Sequence, residues 1–118
     1  VGSARNPAAL EAVRESGDFG LSSRARDLLG SAFAAESRIK RALIYGSRAK
    51  GNYRPGSDID MALDAPHMTY SDCLRFATTL DDLMLPWRIN LSVLHQIDNP
   101  ALLEHIARVG KPLWTRLP

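Results

Sequence analysis

The segment "DIDMALD", residues 58–64, constrains the fold most. Ile59, Met61 and Leu63 alternate with Asp58, Asp60, Ala62 and Asp64. A period of two belongs to a β-strand, with one apolar face to be covered and one face carrying the acids. "RINLSVL", residues 88–94, repeats the pattern, with Ile89, Leu91 and Val93 set against Arg88, Asn90 and Ser92. "ALIY", residues 42–45, is a short apolar run closed by Gly46 and reads as a buried strand. "PLW" at 112–114 reads as a short last strand.

The segments between carry helix signals. In "SSRARDLLGSAFAAES", Ala25, Leu28, Leu29, Ala32 and Phe33 recur at helical spacing. "TYSDCLRFATTLDDLML" opens with Thr69 and Asp72 placed as a capping box. "NPALLEHIARVG" has Asn99 as N-cap, Pro100 at the first helical position and Gly110 just past the end. The order α-α-β-loop-β-α-β-α predicts an α/β (α+β) domain, a small mixed β-sheet flanked by helices. At 118 residues there is room for one domain, expected over residues 22–118. Residues 1–21 read as an N-terminal extension with a short helix near Pro7–Glu15.

A single cysteine, Cys73, excludes an internal disulfide and fits a reducing, cytoplasmic setting. No apolar run approaches the ~20 residues of a membrane span, and the first residues lack a secretory-signal pattern. Net charge is only +2, but it is unevenly spread. Residues 1–57 carry ten Lys/Arg against five Asp/Glu, and residues 58–118 carry five against eight. The densest block, from Arg38 to Arg54, holds Arg38, Lys40, Arg41, Arg48, Lys50 and Arg54 and no acid. A charge run of this kind is usually a solvated face. Beside two aspartates, it also suits a polyanion delivered with a metal ion.

Asp58 and Asp60 stand two apart on one strand, so both carboxylates leave the same face. At ~6–7 Å and an effective dielectric near 20, they repel by roughly 2–3 kcal/mol. Such a pair calls for a cation, a basic partner or open water. Upstream, "GSRA" turns the chain after a strand. Its backbone N–H groups, the Ser47 hydroxyl, Arg48 and Lys50 form an expected anion-binding turn at Gly46. Phosphates at that turn and a metal on Asp58 and Asp60 would belong to one ligand, a nucleoside triphosphate with Mg²⁺, an ion that prefers one or two carboxylates plus substrate phosphates. "GSRAKGN" is not a P-loop: Asn52 and Tyr53 follow Gly51 where Lys and Ser or Thr are needed.

The pattern Gly-Ser, ten residues, then Asp-Ile-Asp, set between "ALIYGSRAKG" and "SDIDMAL", resembles the minimal nucleotidyltransferases of the DNA polymerase beta-like superfamily. These are small proteins paired with HEPN-domain partners. The resemblance spans roughly residues 22 to 114 and includes the tail "LLEHIARVGKPLW". It implies the polymerase beta-like fold and transfer of a nucleoside monophosphate, AMP first, from ATP or another triphosphate to an acceptor hydroxyl. Gly46 and Ser47 would grip the triphosphate, while Asp58 and Asp60 would ligate Mg²⁺ or Mn²⁺. The implied acceptor is a HEPN toxin, which makes the chain an antitoxin. A third acid belongs at the middle of "RINLS", on the parity of the other two; this chain has Asn90. Asn90 is neutral and cannot serve as a base, so a catalytically weakened, docking or nucleotide-binding module is the alternative. Asp64 is a candidate replacement carboxylate, and Arg88 a candidate ion-pair partner of Asp58 or Asp60.

The remaining residues read more plainly. His67, His95 and His105 lack metal-ligand spacing, and Cys73 falls on an apolar helix stripe. Trp87 reads as core first, with an exposed interface anchor as the other reading. Tyr53 reads either as a base-stacking ring or as an ordinary loop aromatic. Self-association stays open. A nucleic-acid partner ranks last, since aromatic residues make up only 7% and no RNA-binding motif occurs.

Overall fold

The computed structural model describes residues 18–118. The helix expected near Pro7–Glu15 lies outside the described residues. The elements are α1 (Ser23–Ala35), β1 (Arg41–Tyr45), α2 (Gly46–Lys50), β2 (Ile59–Asp64), α3 (Tyr70–Asp81), β3 (Ile89–Val93), a single 3₁₀ turn (Leu94–Gln96), α4 (Pro100–Val109) and β4 (Lys111–Thr115). No helix among the described residues is long and apolar enough to cross a membrane.

The strands form one mixed sheet in the order β3-β2-β1-β4. β1 pairs antiparallel with both β2 and β4, whereas β2 and β3 run parallel through the α3 crossover. Alternation in the sequence decides what each face carries. Ala42, Ile44, Ile59, Met61, Leu63 and Val93 point to one side and pack with Leu29 and Phe33 of α1 and Phe76 and Leu80 of α3. Leu43, Tyr45 and Ala62 point to the other side, beneath Ile106 of α4. The apolar cover on this second face stops short of Asp60 and Asn90, the positions that carry polar side chains. Pro112 is accommodated because β4 is an edge strand, and the β1–β4 register shifts between Ala42 and Leu43.

Two of the caps are those expected from sequence, at Thr69 and Asn99, and Ser22 adds a third. Ser22 Oγ accepts the Ala25 N–H at 3.1 Å, and Asn99 Oδ1 accepts the Ala101 N–H at 3.0 Å. Thr69 and Asp72 form the reciprocal capping box of α3. Asp72 is buried and also accepts Arg38 Nη1 at 2.6 Å and Arg75 Nη2. The Thr69 backbone N–H first, then the Thr69 hydroxyl and Arg38, hold its carboxyl well below the usual carboxylate range. The core reaches further toward the N-terminus than the boundary expected at residue 22: Phe19 and Leu21 are both buried in it.

Candidate active site

The site forms where β1 ends and β2 begins. Tyr45 pairs with Asp60 across the antiparallel ladder, and Asp60 pairs with Asn90 across the parallel one. The turn after β1, Asp60 and Asn90 therefore lie in one row across three strands. Asp58 precedes β2 and points to the same side. Asn90 Nδ2 donates to Asp60 Oδ1 at 3.0 Å and to Asp58 Oδ2 at 3.4 Å. Two carboxylates thus converge on one amide nitrogen, whose partial positive charge offsets their repulsion. Asp58 is exposed and Asp60 half-buried, so the pair faces an open edge.

Gly46 closes the site from the β1 side. Its φ is +70°, in the left-handed region, and a Cβ there would collide with Asp60 Oδ2. Glycine is required twice over, by backbone conformation and by the carboxylate pressed against it. Ser47 and Lys50 follow in α2, with Ser47 half-buried and Lys50 exposed. The structure therefore brings Gly46, Asp58, Asp60 and Asn90 together, with Ser47 and Lys50 on the adjoining turn.

Arg48 is the exception. Expected among the phosphate-binding cations, it is instead 2% exposed, with its guanidinium turned into the loop that follows α2. Nη1 donates to the Phe19 carbonyl at 2.7 Å, Nη2 to the Pro55 and Ser57 carbonyls at 3.2 and 2.8 Å, and Nε to Ser57 at 3.1 Å. Burial pulls its pKa below the ordinary arginine value. Asp64 does not approach the site: it lies at the far end of β2 and accepts Arg41 Nε at 3.1 Å. Arg88 makes no ion pair with Asp58 or Asp60 among the described residues. Its carbonyl accepts the Ile59 N–H instead. Tyr53 covers Gly20 and the Arg48 guanidinium.

Tyr45 was not singled out from sequence. It is buried, pairs with Asp60 across the ladder, and its ring meets His105 of α4 edge-on at 6.0 Å. Burial pushes its phenol pKa up, so it stays a neutral hydroxyl beside the acids. Its position directly before Gly46 on the Leu43 parity was the available signal.

Two carboxylates, a glycine turn and a serine at this spacing form a recognisable constellation. The sequence model of the family described as Polymerase beta, Nucleotidyltransferase matches residues 29–117. The chain belongs to this family. The match takes in every strand, α2 to α4 and most of α1, so the polymerase beta-like nucleotidyltransferase fold is that of the whole described domain. No curated protein sequence matches the chain. Among solved structures, a toxin–antitoxin crystallised with AMP-PNP is 19% identical at a TM-score of 0.64, covering 77% of this chain and 73% of that one. A structure of a tri-AMPylated Shewanella oneidensis HEPN toxin in complex with an MNT antitoxin is 17% identical at a TM-score of 0.59, covering 78% and 71%. A Sulfolobus solfataricus chain assigned to the nucleotidyltransferases is 15% identical at a TM-score of 0.54, covering 97% and 93%. At these identities the likeness speaks to the fold. The nucleotidyltransferase class follows from the family match.

Proposed function

We propose that this domain transfers a nucleoside monophosphate, AMP first, from a triphosphate to an acceptor hydroxyl on a HEPN-type partner in the cytoplasm. The observation that carries the reading is the convergence of Asp58 and Asp60 beside the Gly46–Ser47 turn. In the step, the acceptor oxygen bonds to the α-phosphorus and loses its proton to solvent, the bond from that phosphorus to the bridging oxygen breaks, and pyrophosphate leaves with the electron pair. Gly46 lets the backbone approach closely, Ser47 supplies a hydroxyl donor and Lys50 a cation beside the phosphates. Asp58 and Asp60 would hold Mg²⁺ or Mn²⁺. The ion, when bound, offsets charge on the phosphates and polarises the reacting oxygens. The donors on offer are the Asp58 and Asp60 carboxylates, which converge on the Asn90 amide. Two carboxylates suit a cation whose shell is completed by phosphates and water.

Asn90 carries the second reading. Its amide donates to both aspartates and offers a metal at most a neutral oxygen, and it cannot take the acceptor proton. That favours a slowed chemical step with nucleotide binding retained, which is the behaviour of a nucleotide-binding or docking antitoxin. Partner identity is supported by structural neighbours that are toxin–antitoxin and HEPN complexes.

The test is transfer of label from α-labelled ATP with Mg²⁺ or Mn²⁺ to a candidate HEPN partner, run beside Asn90→Asp and Asp58→Ala. Label on the partner, lost in Asp58→Ala, establishes the transferase. Label only with Asn90→Asp identifies a disarmed site and a binding role. No label with either protein sinks the enzymatic reading.

A further inference from the structure

Between Ser47 and Asp58 the chain runs through ten residues rich in glycine, proline and polar side chains. Nothing regular holds the stretch from Gly51 to Asp58, since it contains neither helix nor strand. Yet Ser47 and Asp58 must act on one ligand if the turn binds phosphates and the acids bind its metal. A mobile connection would let the two halves drift, and displacements of ~1 Å are enough to slow a positioned reaction by about a hundredfold.

Arg48 supplies the missing order. Four N–H···O contacts tie it to three carbonyls, of Phe19, Pro55 and Ser57. Two of those carbonyls belong to the loop, and Phe19 belongs to the core cluster. The guanidinium carbon lies 4.9 Å from the Tyr53 ring centre and 5.4 Å from that of Trp87. The charge is thus neutralised by carbonyl dipoles and two π faces, with no carboxylate in the cluster. Trp87 adds a second tie, its indole N–H donating to the Pro55 carbonyl at 3.0 Å. Ser57 Oγ closes the loop on itself by accepting the Arg54 N–H at 2.9 Å.

We propose that Arg48 is a positioning residue: its planar fork clamps residues 53–57 to the core and so fixes Asp58 relative to Ser47. The functional half of this rests on the reading of Ser47 and Asp58 as one nucleotide site. A clamp and a phosphate ligand respond differently to lysine. A lysine keeps the charge a phosphate would need but loses the fork that reaches three carbonyls at once.

Two readouts on the intact chain separate the cases, amide hydrogen exchange without nucleotide and affinity for Mg²⁺–ATP by calorimetry. Arg48→Lys and Arg48→Gln should both accelerate exchange over residues 53–58 by about tenfold or more while β1 and β2 stay protected. Both should weaken Mg²⁺–ATP binding to a similar degree. Unchanged loop exchange overturns the clamp, and affinity restored by lysine to within about twofold of the parent makes Arg48 a charge donor instead. If either Arg48 variant loses core protection, Trp87→Phe decides: it removes the indole N–H bond to Pro55 while keeping an aromatic ring at the position, and loop exchange must still rise. If the parent chain binds no Mg²⁺–ATP, the nucleotide reading and the functional half of the proposal fall, while exchange still decides the clamp.

Discussion

At the scale of single residues, Gly46 and Asn90 set the character of the site, and each can be tested without an acceptor. Gly46→Ala forces a side chain into the left-handed region and against Asp60. It should cost at least about 1 kcal/mol, or about 4 °C in Tm, and any metal-dependent stabilisation should shrink with it because Asp60 must shift. Thermal unfolding with and without Mn²⁺ measures both effects. Asn90→Asp replaces a donor shared by two carboxylates with a third carboxylate. In EDTA its Tm should drop below that of the parent through repulsion, and Mn²⁺ should raise it by more than it raises the parent. Equal Tm values in EDTA would mean that the Asn90 amide does not offset the acidic pair. The site residues that were legible in sequence are those whose relation is local or fixed by strand parity. Asp58 and Asp60 share a face by period two, and Asn90 joins them once β2 and β3 pair. The burial of Arg48 was not legible, because it depends on the Phe19 carbonyl 29 positions away. A charge beside a Gly-Ser turn looks like a phosphate ligand until burial is known.

At the scale of elements, caps and alternation explain why so much of the fold could be read. Thr69 with Asp72, and Asn99, stand where helices begin and make the expected bonds, and Ser22 caps α1 in the same way. The ends of elements that rely on distant partners were hidden. Arg116 donates to the Phe33 and Glu36 carbonyls, both at 3.0 Å, closing the C-terminus of α1 from the last residues of the chain. Nothing periodic marks that contact. Arg116→Ala should strip the charged donor from these carbonyls, which keep the Glu36 and Ile39 backbone N–H groups, and cost about 1–2 kcal/mol in urea unfolding with an unchanged m-value. Asp72 gives the element scale a pH signature. Its folded-state pKa is depressed, so its stabilising share is present above the unfolded aspartate value and is lost as pH falls through that value toward the folded one. Tm should therefore decline as pH drops below about 5, and Asp72→Asn should flatten that decline while lowering Tm at neutral pH. A decline as steep in Asp72→Asn as in the parent would place the acid sensitivity elsewhere.

At the scale of the whole molecule, folding redistributes the charge that the sequence displays. Six basic residues between 38 and 54 look like a polyanion surface when read in line. Folded, Arg38 is engaged by Glu36 and Asp72 at 2.8 and 2.6 Å, Arg41 by Asp64 at 3.1 Å, and Arg48 is buried. Lys40, Lys50 and Arg54 are exposed. Three cations of this block are left without a carboxylate partner among the described residues, and Lys40 stands at the Asp64 end of β2, apart from Lys50 and Arg54. Counterion release by three contacts to a single strand gives a slope of about −2 in log affinity against log salt. Single-stranded RNA should accordingly bind weakly at low salt, lose affinity with a slope no steeper than about −2, and gain nothing from added Mg²⁺. On the proposed reading, ATP depends instead on the acidic pair and should bind tightly only when the divalent ion is present. Fluorescence anisotropy with labelled RNA across a salt series, repeated in Asp58→Ala, separates the two ligands. An RNA slope much steeper than about −2 would require cations beyond this block and reopen the nucleic-acid alternative. A shallow slope, with divalent-dependent ATP binding abolished in Asp58→Ala, leaves the basic turn as part of a nucleotide site.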